Sequence, residues 1–240
     1  DRFIIDNYTE VPAFSSFLPG LSGVKGIPVW SFYTNRGQGI NSLGIHHKGN
    51  AIMEFNPANT AYEVTPVKGF RTFIRMDGNY YEPFCTYAPQ AKRRMEIEKN
   101  VLTISEESHG LKITVCYIIL PGESIGALVR RVTVENIDGG AHELEILDGM
   151  PQIIPYGIQN GQYKEMSNLF KSWADIKNIE AKAPLYTMRA SSDDSAEVSE
   201  IQGGYFYLAV RDGELQPVLY DKNVIFGWDH SMVNAVTFQE

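Results

Sequence analysis

The sequence is poor in cysteine and in clustered basic charge, and each shortage excludes a class of protein. Cys85 and Cys116 are its two cysteines, too few for a disulfide framework or a cysteine-rich metal site. Cys116 falls inside an apolar, strand-like run, where a buried free thiol is expected. The net charge is −8 and the 21 basic residues are dispersed. We therefore expect neither a nucleic-acid partner nor binding to an anionic membrane.

Long apolar runs are also missing. The longest, around residues 118–121, is too short to cross a bilayer. The first ten residues, DRFIIDNYTE, have neither the basic nor the apolar region of a signal peptide. We therefore expect a soluble, cytoplasmic protein. Because the chain lacks an initiator Met and ends in AVTFQE, which reads as a strand, we also expect it to be a piece of a longer polypeptide.

Several common catalytic motifs are absent. The sequence contains no P-loop, no H-E-x-x-H and no C-x-x-C. His46–His47 is the one adjacent histidine pair, and neighbouring strand residues face opposite sides, so we expect a solvent-facing pair and no metal site. We interpret Glu106–Glu107 and Asp193–Asp194 as solvated charges and Asp148, before a glycine, as a turn residue.

Period-two alternation dominates what is present. One example is residues 112–120, KITVCYIIL, in which Ile113, Val115, Tyr117 and Ile119 share a face. Further strands are predicted at 51–55, 70–76, 101–107, 127–136, 142–148 and 205–211, separated by Gly- and Asp-containing turns. This pattern predicts a mainly β, antiparallel sandwich. One amphipathic helix is predicted over 159–176, with an apolar stripe of Tyr163, Met166, Leu169, Phe170 and Trp173.

Residues 28–39, PVWSFYTNRGQG, carry the side-chain types that bind sugars. Aromatic rings cover apolar sugar faces, while amide and guanidinium groups bond hydroxyls. Strand alternation places Trp30 and Phe32 on one face, which we assign to the core. The side chains free to reach a ligand are then those of the 35–39 turn: Asn35, Arg36 and Gln38. An ordinary hairpin turn is the alternative.

Five segments together resemble one enzyme family. They are GIPVWSFYTNRGQGINSLG, EFNPANTAYEV, VCYIILPGESIGALVRRVTVEN, HELEILDGMPQIIPYG and LAVRDGELQPVLYDKNVIFG. Their order is similar to the N-terminal domain of the inverting phosphorylases of glycoside hydrolase family 94, the cellobiose and chitobiose phosphorylase group. Within the group, the chain most resembles phosphorylases of β-1,2-linked glucooligosaccharides. The opening differs from the family, since AFSSFLPG and NRGQG stand where relatives carry a Pro-Trp stretch and a GGGYS/T-like turn.

The resemblance implies a single domain over residues 1–240, a galactose-mutarotase-like β-supersandwich that a helical linker joins to an (α/α)₆ barrel. The family's catalytic Asp and phosphate-binding groups lie in that barrel, so no catalytic residue is expected in this chain. The implied domain supports the barrel and a homodimer and borders the active site, where Asn35, Arg36 and Gln38 are candidates to contact a β-linked glucooligosaccharide. No cofactor is implied; inorganic phosphate is the co-substrate of the whole enzyme.

The implied reaction is phosphorolysis with inversion, giving α-glucose 1-phosphate. Phosphate replaces the base-activated water of an inverting hydrolase, so one catalytic carboxyl suffices. We predict no turnover by this chain alone.

A stand-alone carbohydrate-binding module is the first alternative, and it requires an exposed aromatic platform. A mutarotase-like domain is the second, and it requires a His and a carboxylate in a concave site, whereas His109 and His142 fall at turns. Arg130 is predicted to be buried or at an interface, with a carboxylate partner.

Overall fold

A computed structural model of the chain describes residues 1–86, 91–191, 196–197 and 199–240. Strands account for 39% of it and helices for 13%. Every pair of neighbouring strands is antiparallel. The prediction of a mainly β, antiparallel fold is therefore confirmed at this level.

The largest sheet has five strands in the order β1-β8-β9-β10-β11. Its second half is a meander in which the predicted strands at 101–107, 112–120 and 127–136 are all present. The buried face of β10 includes Ile113, Val115, Tyr117 and Ile119, as the alternation predicts. The bounds are Phe3–Asp6 (β1), Lys92–Ile97 (β8), Val101–Ser108 (β9), Leu111–Ile119 (β10) and Leu128–Asn136 (β11).

A four-stranded sheet, β2-β3-β4-β5, shares the main core with the five-stranded sheet. Leu18, Val29 and Tyr33 from the smaller sheet contact a cluster that includes Leu102 and Val115. Where β2 meets β10, the Ile119 side chain packs directly on the Gly20 backbone, because a Cβ added at Gly20 would lie 2.4 Å from Ile119 Cγ1. The bounds are Ser15–Ser22 (β2), Ile27–Thr34 (β3), Ile40–Ile45 (β4) and Ala51–Met53 (β5).

Three smaller sheets complete the β-structure of the described residues. Two have three strands, in the orders β12-β6-β7 and β13-β14-β15, and one is the ribbon β16-β17. The strand predicted over 205–211 is divided into β15 and β16. The bounds are Arg71–Met76 (β6), Asn79–Tyr81 (β7), Leu144–Gly149 (β12), Ala174–Lys177 (β13), Leu185–Met188 (β14), Tyr205–Phe206 (β15), Val210–Arg211 (β16) and Glu214–Leu215 (β17).

The predicted helix is present but shorter than expected. Helix α2 spans Asn160–Lys171, and β13 follows where the prediction continued the helix to residue 176. Asn160 fixes its start, because its side-chain carbonyl accepts a 3.1 Å hydrogen bond from the Phe55 backbone N–H. Tyr163 and Phe170 are buried, but Met166, Leu169 and Trp173 are 43%, 49% and 40% exposed. The predicted apolar stripe is therefore wrong for three of its five residues, since Met166 departs from helical geometry and breaks the register.

Three further helices among the described residues were not predicted. Helix α1 spans Ala58–Lys68, despite Pro66, and buries Ala61 and Thr65. Two one-turn helices near the end are Asn223–Phe226 (α3) and Val236–Gln239 (α4). Helix α4 overturns the interpretation of the final residues as a strand. Its neighbours join a small apolar cluster around Phe73, Phe226 and Met232.

Candidate functional site

The turn of the opening hairpin, defined as β3, β4 and the residues between them, lies against helix α1. The turn is closed by a 3.0 Å bond from the Thr34 N–H to the Gly39 carbonyl. Gly37 has φ +52°, and a Cβ there would lie 3.1 Å from the Pro66 Cα, so glycine allows the approach to α1. The buried Tyr8 hydroxyl donates to the Gly37 carbonyl at 2.7 Å.

Asn35 is fully buried and bonds to the N-terminal segment. Its Oδ1 accepts from the Phe14 N–H at 2.9 Å, and its Nδ2 donates to the Tyr8 and Val11 carbonyls at 3.1 Å each. Such a side chain has little capacity left for a ligand. In this structure Asn35 holds residues 8–14 against the turn.

Arg36 is the most accessible of the three predicted substrate-binding residues. Its guanidinium carbon lies 4.9 Å from the centre of the Tyr62 ring, and one N–H group donates to the Tyr62 carbonyl at 3.4 Å. The described residues provide no hydrogen-bond partner for its other N–H groups. Tyr62 therefore orients a partly exposed guanidinium whose remaining donors are available to a ligand.

Gln38 belongs to a largely buried cluster that we call the Arg130 network: Gln38, Thr72, Tyr117, Arg130 and Asp148. Gln38 Nε2 donates to Thr72 Oγ1 at 2.8 Å, and Thr72 Oγ1 donates to Asp148 Oδ1 at 2.5 Å. Arg130 donates to Gln38 Oε1, to Asp148 Oδ2 and, at 3.2 Å, to the Tyr117 hydroxyl. The Gln38 side chain thus bonds within the protein.

Arg130 lies at the centre of this network, with 7% of its side chain exposed. Burial would lower its pKa, but the neighbouring Asp148 carboxylate outweighs burial and raises the pKa above its usual range. The prediction that Arg130 is buried with a carboxylate partner is confirmed. Asp148 lies inside β12 and pairs with Arg130, so its interpretation as a turn residue is wrong.

Trp30 and Phe32 do not lie in the main core. Val29, Ser31 and Tyr33 occupy the buried face of β3, whereas Trp30 and Phe32 are partly exposed and contact a second cluster that includes Phe55 and Phe170. The face assignment from alternation was therefore reversed. Both faces of β3 carry apolar residues, so the pattern alone could not tell which face meets the larger sheet.

Glu106 is buried, so its interpretation as a solvated charge is wrong. Its Oε2 accepts from Arg93 Nε at 2.8 Å and from the Phe84 N–H at 2.6 Å, and both ion-pair side chains are at most 5% exposed. Glu107, its neighbour, is 41% exposed, as expected. Asp193–Asp194 lie outside the described residues.

The positions of the histidines bear on the mutarotase-like alternative. His109 is exposed at the β9–β10 turn, and its ring stacks on Tyr81 at 4.4 Å. His142 lies between two exposed carboxylates, with Nδ1 2.6 Å from Asp77 and Nε2 3.0 Å from Asp138. His46 and His47 are both exposed after β4, as predicted.

His109 lines a partly open cavity with Glu82 and Glu106, but an arginine neutralises each carboxylate. Burial raises the pKa of Glu82, although Arg71 bonds to both of its oxygens and opposes the shift. Across the described ranges, no three His, Cys, Asp or Glu side chains are grouped to hold a metal ion. Within the same ranges, no helix is long and apolar enough to span a membrane.

Comparison with known proteins gives no family assignment: no family model matches the chain, and no curated protein matches it.

Proposed function

We propose that this chain is the non-catalytic N-terminal domain of an inverting glycoside phosphorylase acting on β-linked glucooligosaccharides. The observation that carries the proposal is the Arg130 network. Gln38 comes from NRGQG, Arg130 from VRRVTVEN and Asp148 from ILDGMP, three segments that carry the resemblance. They are distant in sequence, yet they meet in one set of hydrogen bonds.

The packing of the two largest sheets supports the sandwich architecture within this proposal. Residues of the four-stranded and five-stranded sheets form one apolar cluster, as two stacked sheets require. Three carboxylates of limited exposure support the absence of catalysis, because Glu106, Glu82 and Asp148 are each paired with an arginine. A general acid needs a protonated carboxyl facing its substrate.

Arg36 is the residue through which this domain contacts the glycan. The Tyr62 ring holds its guanidinium, and its remaining donors match adjacent sugar hydroxyls. Asn35 and Gln38 act behind it, since they fix the turn on which Arg36 lies. In the whole enzyme, inorganic phosphate and the catalytic groups come from the (α/α)₆ barrel, and the domain supports a homodimer.

The test compares phosphate-dependent sugar release by the whole polypeptide that the gene encodes with that by residues 1–240. The proposal predicts glucose 1-phosphate from the whole polypeptide, only when phosphate is present, and none from residues 1–240. Release by residues 1–240 alone would overturn the non-catalytic role. Failure of the whole polypeptide on all β-linked glucooligosaccharides would overturn the phosphorylase proposal.

A carbohydrate-binding module is the second candidate, and exposed aromatic residues favour it. Trp228 is 75% exposed and Tyr220 is 58% exposed, both in the C-terminal segment. Exposed rings of this kind can stack on sugar faces. If Trp228→Ala abolishes binding of insoluble glucan while Arg36→Ala does not, the binding-module function is favoured over the phosphorylase domain.

A further inference from the structure

A cleft that is lined by none of the predicted residues Asn35, Arg36 and Gln38 suggests a second binding site. It lies between the segment after β12, strand β14 and residues 217–226. A cavity of about 130 Å³, which we call the inner chamber, adjoins a cavity of about 350 Å³, the outer chamber, and the two share Met150, Ile153, Tyr186, Leu219 and Phe226 among their walls. The outer chamber alone is within the size range of small-molecule pockets, about 300–1,000 Å³, and the smaller inner chamber extends it.

Besides Arg71, three polar side chains line the inner chamber: Asp148, Tyr186 and Tyr207. Asp148 uses its two oxygens for Arg130 and Thr72, yet its side chain remains 26% exposed, which leaves carboxylate lone pairs available. The described residues provide no hydrogen-bond partner for the Tyr186 and Tyr207 hydroxyls, and neither oxygen is sealed from solvent. Two donors and one acceptor therefore face the same small space.

The tyrosines stay protonated at neutral pH and so can donate. Burial raises the pKa of Tyr207 to about 12, and the nearby Asp148 carboxylate acts in the same direction. Burial also raises the pKa of Tyr186. Apart from Arg71, the remaining side chains of the wall are apolar or aromatic and include Phe73, Leu147, Ile153 and Phe226.

The charges of the inner chamber cancel. Asp148 is paired with Arg130, and Arg71 is paired with Glu82 through two N–H···O bonds of 2.6 and 2.8 Å. A charged ligand would lose its hydration without gaining an unpaired counter-charge, which is costly. A neutral molecule with hydroxyl groups and an apolar face would lose little and could bond to all three polar side chains.

We propose that this cleft binds a neutral sugar, with one glucose-sized ring in the inner chamber bonded to Asp148, Tyr186 and Tyr207. The ring's C–H face lies against the aromatic wall, and a second sugar unit extends into the outer chamber, toward Gln152 and Tyr220. The site goes beyond the phosphorylase proposal, because it is complete within this chain and needs neither the barrel nor Arg36.

The test is titration of the chain with D-glucose and with the β-1,2-linked glucose disaccharide, followed by NMR chemical shifts. Tyr207→Phe and Tyr186→Phe each remove one hydroxyl and keep the ring. Each is expected to weaken binding about tenfold, which is the loss of one hydrogen bond worth about 1.4 kcal/mol. Tyr205→Phe is the matched control, since Tyr205 is a buried tyrosine that contacts the main core, and it should bind as the wild type does.

Three results would overturn the proposal: no binding by the folded wild-type chain, unchanged binding in both tyrosine variants, or a crystal structure with only water in the cleft. D-Glucuronate should bind more weakly than D-glucose, and equal binding would contradict the neutral-ligand argument. Arg36→Ala separates the two proposals, because it leaves the cleft intact. Binding lost in Arg36→Ala and kept in Tyr207→Phe would assign the sugar to the hairpin turn instead.

Discussion

The Arg130 guanidinium bonds to the Asp148 carboxylate between two strands that belong to different sheets, β11 and β12. Arg130 also lies 5.1 Å from the centre of the Phe70 ring. This ion pair connects the five-stranded sheet to the sheet that contains β6 and β12. It also fixes Gln38 at the hairpin turn.

The two halves of this ion pair should differ in their effect on stability. Asp148→Asn leaves Arg130 buried without a counter-charge and should cost about 3 kcal/mol of unfolding free energy. Arg130→Met should cost less, about 1–2 kcal/mol, because Asp148 is 26% exposed and keeps Thr72 as a donor. Urea denaturation followed by tryptophan fluorescence measures both values. Arg211→Met is the control, since its ion pair is more than 80% exposed and its loss should be undetectable.

Glu106 and Glu107 offer a matched pair of adjacent substitutions. Glu106→Gln leaves the buried Arg93 without a negative partner and should lower the unfolding free energy by about 3 kcal/mol. Glu107→Gln loses an exposed, 3.8 Å contact with Lys112 and should change the unfolding free energy by less than about 0.5 kcal/mol. Similar effects of the two substitutions would contradict the burial of Glu106.

His142 should make the β6–β7 and β11–β12 turns sensitive to pH. Its hydrogen bonds to Asp77 and Asp138 raise the pKa of the imidazole, and bonds to His142 and to backbone N–H groups lower the pKa of both carboxyls. The charged imidazolium therefore contributes to the free energy of unfolding. This contribution is complete below the ordinary histidine pKa of about 6.5 and is lost as pH rises through the raised pKa. The contribution of the Asp77 and Asp138 carboxylates to the free energy of unfolding is lost as pH falls through their lowered pKa values.

The stabilising effect of this cluster should therefore be greatest in mildly acidic solution, between the carboxyl and imidazole transitions. The difference in thermal midpoint between the wild type and His142→Gln should shrink as pH rises above neutrality. NMR titration of the His142 ring protons measures the pKa directly. A His142 pKa at or below 6.5 would contradict its hydrogen bonds to Asp77 and Asp138.

Asn35 and Arg36 are neighbours with opposite expected roles. Asn35→Ala removes all four hydrogen bonds of a buried side chain and should cost about 3 kcal/mol of stability. Arg36→Ala should cost less than about 1 kcal/mol, because its contacts are at the surface, but it should weaken binding of β-linked glucooligosaccharides in calorimetric titration. Arg36→Lys retains the charge without the planar donor set and should recover only part of the binding. Unchanged glycan binding in Arg36→Ala would exclude this contact.

The strands were predictable because their signal is local. Residues 111–119 alternate between apolar and less apolar side chains, and the structure buries the apolar face. Helix α1 was not predictable in this way, since its buried side chains are only Ala61 and Thr65 and it contains Pro66. Its position depends on contact with the opening hairpin, which the local sequence does not encode.

The polar interior was the least predictable part. Glu106 and Asp148 have partners 13 and 18 residues away in sequence, so neither pairing can be inferred from neighbouring residues. The sequence identified Arg130 as a buried arginine that needs a carboxylate, but not which carboxylate. Tyr186 and Tyr207 gave no sequence signal, since their convergence depends on how β14 and the C-terminal segment pack against β12.

The phosphorylase proposal is tested by an NMR measurement of the anomeric configuration of the sugar phosphate released from a β-linked glucooligosaccharide and inorganic phosphate. We expect α-glucose 1-phosphate from the whole polypeptide and no product from residues 1–240. Free glucose, β-glucose 1-phosphate, or any turnover by residues 1–240 alone would contradict it.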